Sequence, residues 1–226
     1  MPSIESLVVI SPHLDDGVFS CGNLIAAKRH ATVITVFAGI PEPDMPAPDW
    51  DRRAGFPSGA AAVTARRVED QQALSRLDAT PLWLDFFDSQ YGIAAHREDL
   101  ATRLHEVLID FAGATIAAPL GLFHSDHQLV QQAALGLWRQ TSSRWPWLFY
   151  EDALYRRLPG LLQEQLAAWR DGGIRARPID LHQPRLAATK ADAVRAYASQ
   201  LALLGRDKMT DLDAPERYWQ LECDPD

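Results

Sequence analysis

The fold is decided by ten residues near the start of the chain, LVVISPHLDD at positions 7–16. Residues 7–10 are continuously apolar, which is typical of a strand buried on both faces of a parallel sheet. A Ser-Pro pair ends this strand, and a helical pattern follows over residues 18–29. A second run, rich in β-branched residues, predicts the next strand at 32–37. This strand–helix–strand order indicates a βαβ unit.

The same alternation continues through most of the chain. We predict further strands at residues 81–84, 115–118 and 147–150, and helices at 62–77, 97–111 and 128–140. In the last third of the chain we predict a weaker helix at 160–169, a short strand at 176–181 and a helix at 186–204. Strands that alternate with helices favour a Rossmann-like, doubly wound α/β fold, with a mostly parallel sheet and helices on both faces.

The composition is that of an ordinary globular protein. The 226 residues are 47% hydrophobic and 23% charged, which excludes disordered, collagen-like and disulfide-rich classes. A formal net charge of −8 argues against a nucleic-acid partner. No apolar stretch approaches the roughly 18 residues that span a membrane, and no basic signal-peptide region is present. With only two cysteines, far apart in the chain, we expect a single cytoplasmic domain over residues 1–226.

One segment departs from the alternation. Residues 39–59 contain five prolines and show no periodicity. Because the segment follows the second predicted strand, it should emerge at the carboxyl edge of the sheet. An active-site lid and a surface loop without a role are equally compatible with a long loop of this kind. Trp50 lies in the segment, and in a lid its ring could offer a flat platform to a sugar.

Two polar clusters follow the first and fourth predicted strands. His13, Asp15 and Asp16 come directly after the first strand, and His124 and His127 lie a short loop beyond the fourth. Ligands of open α/β sheets bind outside the carboxyl ends of the strands, so both clusters should face one crevice. Imidazole and carboxylate ligands suit Zn²⁺, and three of them with an open position define a catalytic site. The same set also describes non-heme iron sites, which keeps Fe²⁺ open.

A purely structural interpretation is the alternative. An aspartate pair at the start of a helix often caps that helix, and an isolated histidine is more often packed than ligating. Two clusters at equivalent strand ends favour the metal site over this alternative.

Four stretches together resemble one protein family. Residues 11–16, SPHLDD, resemble the PHPDDE signature of the PIG-L/LmbE-like zinc-dependent N-deacetylases, and residues 124–127, HSDH, resemble that family's HPDH motif. RRVE at 66–69 is similar to its R-x-x-E helix, and KADAVRAYASQ at 190–200 is similar to its late K-x-x-A…SQ stretch. The resemblance implies a hydrolase that removes an N-acetyl or N-acyl group from an amino sugar or its glycoside.

The resemblance also implies catalytic roles. His13, Asp16 and His127 would hold zinc. Asp15 would be the general base that activates the water. His124 would stabilise the oxyanion or donate a proton to the leaving amine.

Other residues are placed around this centre less directly. Arg66 and Asp88 fall where family members contact the sugar, although for Asp88 a surface turn is an equal alternative. Trp50 is a further candidate for substrate binding. Asp126 either orients a ligating histidine through a hydrogen bond or caps the helix that follows.

The chain departs from the family pattern at three positions. Leu14 replaces a proline, Tyr197 replaces a histidine, and Gly17 replaces the glutamate after the aspartate pair. That glutamate is not a metal ligand in the family pattern, so we expect metal binding to survive. Two other functions stay open: a metal-dependent amidase acting on a non-sugar or thiol-conjugate amide, and a non-catalytic sugar-binding module. The particular sugar and the oligomeric state are not decided by the sequence.

Overall fold

The computed structural model describes residues 4–28, 30–181 and 183–223. Its strands are β1 Ser6–Ser11, β2 His30–Thr35, β3 Ala79–Trp83, β4 Thr115–Pro119, β5 Trp147–Tyr150, β6 Ile174–Ile179 and β7 Tyr218–Cys223. Within the described residues they form one seven-stranded sheet in the order β3-β2-β1-β4-β5-β7-β6. The first five strands run parallel, and β7 is antiparallel to both of its neighbours. The predicted doubly wound, mostly parallel α/β fold is confirmed.

Helices connect most of the strands. Their bounds are α1 Asp16–Ala26, α2 Asp49–Arg53, α3 Gly59–Arg76, α4 Arg97–Leu108, α5 Ser125–Thr141, α6 Leu161–Asp171, α7 Ala187–Val194, α8 Ala198–Leu201 and α9 Arg206–Leu212. In the three described ranges, no helix combines the length and the apolar character that crossing a membrane requires.

The first strand explains why its residues are apolar without interruption. Leu7 and Val9 belong to a core shared with α1, α3 and α7, whereas Val8 and Ile10 belong to a core shared with α4 and α5. Successive side chains of a strand point to opposite faces, so a strand covered by helices on both faces must be apolar at every position.

The direction in which successive strands are added to the sheet reverses at β1. From this strand the chain continues to β2 and β3 on one side, and later to β4 and β5 on the other. The carboxyl ends of β1 and β4 therefore border the crevice at the topological switch point, where open α/β sheets bind their ligands. Both predicted polar clusters follow these two strand ends.

Several predicted boundaries were wrong. Helix α5 begins at Ser125 and not at residue 128, which places His127 in its first turn. The predicted helix at 186–204 is interrupted between α7 and α8, where Tyr197 is fully buried and its hydroxyl donates to Asp70. Helix α9 and strand β7 were not predicted. The predicted helix at 18–29 ends at Ala26 in the structure, and its last residue lies outside the described residues.

The proline-rich segment is not the structureless loop that its composition indicated. It contains α2, and Pro46 forms an isolated β-bridge with Ser58. The Ser58 hydroxyl then caps α3 by accepting the N–H of Ala61. Asp51 of α2 is fully buried, so the middle of the segment is anchored in the body of the protein.

Candidate active site

A cavity of about 440 Å³ lies at the carboxyl ends of β1 and β4. All eight residues predicted to bind metal, catalyse or contact substrate line it: His13, Asp15, Asp16, Trp50, Arg66, Asp88, His124 and His127. The ninth predicted residue, Asp126, is buried behind the cavity and contacts His13.

Two imidazoles converge on one carboxylate at the base of this cavity. Oδ2 of Asp16 lies 3.1 Å from Nδ1 of His13 and 3.0 Å from Nε2 of His127. His13, Asp16 and His127 each offer one potential ligand atom, and these three atoms lie within 4.8 Å of one another. Two imidazole nitrogens and a carboxylate at this spacing form a donor set that fits Zn²⁺.

The outer nitrogens of both imidazoles are held by further carboxylates. Oδ2 of Asp126 lies 3.0 Å from Nε2 of His13, and Oδ1 of Asp152 lies 2.7 Å from Nδ1 of His127. A carboxylate at one ring nitrogen keeps the hydrogen there and leaves the other nitrogen free for a metal. The arrangement therefore presents Nδ1 of His13 and Nε2 of His127 as ligand atoms.

Asp152 was missed by the sequence reasoning. It is buried and lies two residues beyond the end of β5, as His13 lies two residues beyond the end of β1. The strand-end argument that selected the clusters could have selected Asp152 as well.

A second trio of residues, His13, His124 and Asp126, also lies within 4.8 Å. It fits a metal less well, because Nδ1 of His124 accepts the backbone N–H of Asp126 at 3.2 Å. The neutral ring then carries its hydrogen on Nε2 and has no free lone pair. His124 is therefore placed as a hydrogen-bond donor beside His13, Asp16 and His127, the candidate metal-binding trio.

The electrostatics of the site shift the pKa values of the two neighbouring aspartates in opposite directions. Burial, together with the adjacent Asp16 carboxylate, raises the pKa of Asp15 to about 7. Although burial also opposes the charge of Asp16, the imidazoles of His127 and His13 hold the pKa of Asp16 well below its ordinary value. Asp15 occupies the N-cap position of α1, yet its side chain makes no capping hydrogen bond. It is therefore free to take up a proton.

Burial also acts on His124. Burial and the neighbouring imidazoles of His13 and His127 lower the pKa of His124. The neutral form of this ring is thus favoured, in agreement with its hydrogen bond to a backbone N–H.

Arg66 lines the cavity but is already paired with a residue of the proline-rich segment. Its Nη2 lies 2.7 Å from Oδ1 of Asp51, and the two side chains are only 6% and 0% exposed. Tyr91 donates its hydroxyl to the other oxygen of Asp51 at 2.8 Å. Nε of Arg66 is buried and has no hydrogen-bond partner among the described residues.

Trp50 and Asp88 are also held by neighbours in the cavity wall. Nε1 of Trp50 donates to the side-chain oxygen of Gln200 at 3.0 Å. The Asp88 carboxylate accepts the backbone and side-chain N–H groups of Gln90 and lies 3.9 Å from Nε2 of His13. Asp88 therefore belongs to the site and not to a remote surface turn.

The two weaker sequence motifs contact each other. The Glu69 carboxylate accepts both the backbone N–H and the hydroxyl of Ser199, at 2.8 Å and 2.7 Å. This contact ties α3 to α8, which carries Gln200 into the cavity wall.

Packing accounts for the glycine at position 17. Its N–H donates to the hydroxyl oxygen of Ser11 at 2.8 Å, and a Cβ there would lie 3.1 Å from Cγ1 of Val33. A side chain such as the glutamate of the family pattern would therefore be tightly packed against Val33 and Ser11.

The match to a family model decides the relationship. Residues 8–138, more than half of the chain, match the family described as PIG-L: GlcNAc-PI de-N-acetylase. The chain belongs to the PIG-L family. The matched region contains the two histidine motifs and the R-x-x-E stretch, whereas the late motif at 190–200 lies beyond it.

Individual relatives of this PIG-L chain carry deacetylase names. It is 32% identical to 2'-N-acetylparomamine deacetylase of Streptomyces fradiae over 167 residues, which cover 66% of this chain and 57% of the relative. The match thus spans little more than half the length of that curated relative.

Two solved structures resemble this PIG-L chain over nearly its whole length. A40926 pseudoaglycone deacetylase Dbv21 has a TM-score of 0.79 and 25% identity, covering 99% of this chain and 100% of that one. The zinc-inhibited form of teicoplanin deacetylase Orf2 has a TM-score of 0.79 and 24% identity, covering 98% and 99%.

Proposed function

We propose that this chain is a metal-dependent hydrolase that removes the N-acetyl group from an amino sugar or its glycoside. The observation that carries the proposal is the convergence of His13, Asp16 and His127 in a cavity that also holds Asp15 and His124. Membership of the PIG-L family and the deacetylase names of its relatives support this reaction.

The metal would be held by the two imidazoles and the carboxylate. A Zn²⁺ ion bound there would polarise the acetyl carbonyl and make the attacking water more acidic. The donor set also suits Fe²⁺.

Asp15 would serve as the general base. Its raised pKa matches proton uptake near neutral pH. It takes the proton of the attacking water while the water oxygen bonds to the acetyl carbon. When the carbon–nitrogen bond breaks, Asp15 returns that proton to the leaving amine, so acetate and a free amino sugar are released.

His124 would stabilise the developing negative charge. Because its Nδ1 accepts a backbone N–H, Nε2 carries the hydrogen and can donate it to the carbonyl oxygen. A neutral imidazole is a poor proton donor to an amine. Of its two predicted roles, we therefore assign His124 that of oxyanion stabiliser.

Arg66, Asp88 and Trp50 would position the sugar. Arg66 and the Asp88 carboxylate line the cavity where ring hydroxyls would lie, and Trp50 lines the same cavity. The proline-rich segment would then act as a fixed wall of the site through α2.

Metal content and acetate release, measured on the same preparations, test the proposal. Wild-type protein should contain about one metal ion per chain and release acetate from methyl N-acetyl-β-glucosaminide. His127→Ala should lose both properties. Asp15→Asn should keep the metal but lose about 100-fold or more in kcat, as expected when a general base is removed.

His96→Ala is the matched control, because His96 is exposed and its side chain caps nothing. Protein that binds the sugar and releases no acetate would be a binding module. Acetate release only from non-sugar or thiol-conjugate amides would show that the substrate is one of these amides and not an amino sugar. Full activity of metal-loaded Asp15→Asn would contradict the assigned base.

A further inference from the structure

We propose that the substrate is a glycoside whose aglycone is flat, apolar and not cationic, and that Phe123 and Tyr155 bind this aglycone at the mouth of the cavity. The inference rests on the proposed function, since it concerns the part of the substrate beyond the acetamido sugar.

Phe123 has two unusual features for an apolar residue. The residue is 60% exposed, although it directly precedes His124. Its backbone is left-handed, with φ of +64°, a conformation that costs an L-residue about 1–2 kcal/mol and that glycine adopts freely. A bulky ring is thus kept in water at a strained position, which points to a binding role.

A second strained residue lies in the neighbouring loop. Leu154, after β5, has φ of +73° and lines the cavity. In the described parts of the chain, Asp78 is the only other non-glycine residue with a positive φ. Two of these three residues therefore lie in the adjoining loops that follow β4 and β5.

These two loops bring an aromatic pair together. The rings of Phe123 and Tyr155 are 5.5 Å apart and inclined by 30°. The Tyr155 ring also meets the ring of His127 edge-on at 5.2 Å. The aromatic surface therefore extends from His127, through Tyr155 in the cavity wall, to the exposed ring of Phe123.

The charges of the cavity argue against a cationic aglycone. Among the described residues that line the cavity, the carboxylates are Asp15, Asp16 and Asp88, all clustered around His13. Lys208 and Leu204 also line the cavity. The ammonium group of Lys208 would repel a cationic aglycone within the cavity, whereas an aromatic ring would stack on Phe123 and Tyr155.

Matched glycosides test the inference. The specificity ratio is kcat/KM for phenyl N-acetyl-β-glucosaminide divided by kcat/KM for the methyl glycoside. It should be about ten or more in the wild type, because one apolar contact contributes about that much discrimination. The cationic 2'-N-acetylparomamine should be a poorer substrate than the phenyl glycoside.

Phe123→Gly separates a binding role from a structural one. Glycine relieves the left-handed strain, so the variant should unfold at a higher denaturant concentration than the wild type, while its specificity ratio falls to about two or less. Ile109→Ala is the control, because Ile109 is also an exposed apolar residue but lies at the C-terminal end of α4 and not in the loops after β4 and β5. It should leave the ratio unchanged.

The outcomes distinguish this inference from the proposed function. Three results would overturn the aglycone inference and leave the proposed deacetylation intact. They are a wild-type specificity ratio near one, a specificity ratio that is unchanged in Phe123→Gly, and a preference for 2'-N-acetylparomamine. The absence of acetate release from all three substrates would overturn both.

Discussion

Asp152 accepts a hydrogen bond from Nδ1 of His127 through Oδ1 and from the backbone N–H of Leu122 through Oδ2, at 2.7 Å and 3.0 Å. A single buried carboxylate therefore fixes both the imidazole and the loop that leads into α5. Because Asp152 follows β5 and His127 follows β4, the pairing of these two strands sets the orientation of the His127 ring, a proposed metal ligand.

Replacing this carboxylate should weaken metal binding. Asp152→Asn keeps the shape of the side chain but removes its charge, and changes of this kind typically cost about 10- to 100-fold in metal affinity. Competition against a chromophoric chelator would measure the loss. Asp171→Asn serves as the control, since the Asp171 side chain is 72% exposed. An unchanged affinity in Asp152→Asn would show that the ring of His127 is held by other contacts.

The ion pair between Arg66 and Asp51 should be important for stability. Asp51→Asn leaves the buried guanidinium without a counter-charge, and breaking such a pair costs about 3–5 kcal/mol. Asp49→Asn removes a carboxylate from the same helix, but Asp49 is 87% exposed in its pair with Arg52. That control should cost at most about 1 kcal/mol. Denaturant unfolding of both variants checks the difference, and equal values would be inconsistent with a structural role for the buried pair.

Asp70 should make the protein less stable as the pH rises through weakly acidic values. Burial raises its pKa to about 6, against an ordinary value of 3.8, although Trp83 and Tyr197 donate hydrogen bonds to it. Between these two values the folded chain binds more protons at this group than the unfolded chain, so the contribution of Asp70 to stability falls with rising pH.

Asp70→Asn removes this titration. Its stability relative to the wild type should therefore increase between pH 4 and pH 6, by on the order of 2–3 kcal/mol. Unfolding curves across this range test the sign, with Asp171→Asn as the exposed control. A constant difference between Asp70→Asn and wild type would show that Asp70 titrates normally.

Two helical glycines should respond to alanine in opposite ways. A Cβ on Gly17 would crowd Val33 and Ser11, whereas a Cβ on Gly136 of α5 would meet nothing within 4 Å. Gly17→Ala should therefore cost about 1–3 kcal/mol through overpacking, and Gly136→Ala should gain up to about 1 kcal/mol of helix propensity. Thermal unfolding of the pair measures both effects. Stabilisation by Gly17→Ala would mean that Val33 and Ser11 move to accommodate the added methyl group.

The sequence predicted most accurately those structural features that depend on local sequence patterns. β5 was predicted at residues 147–150 and is found there, because an uninterrupted apolar run marks a strand covered on both faces. The clusters at His13 and His127 could be placed in one crevice, because the order of strands and helices fixes which ends of the strands face the ligand.

Features that depend on distant contacts were not predictable in this way. The helical pattern continues through residues 195–197 without a proline or glycine, and the break there coincides with the hydrogen bond from buried Tyr197 to Asp70 on α3. Likewise, the pairing of Asp152 with His127 depends on the alignment of β4 with β5. The aromatic pair of Phe123 and Tyr155 depends on the same alignment together with two left-handed residues.

Strand β7 has a consequence for how the molecule is assembled. It lies between β5 and β6, and all six residues of β6 pair with β7. During synthesis, β6 therefore leaves the ribosome well before the strand that must connect it to the sheet. Until residues 218–223 arrive, the apolar edge of β5 has no neighbour, and an open edge of this kind can pair with another chain. The nascent protein is thus most vulnerable to aggregation when nearly all of its sheet is already built.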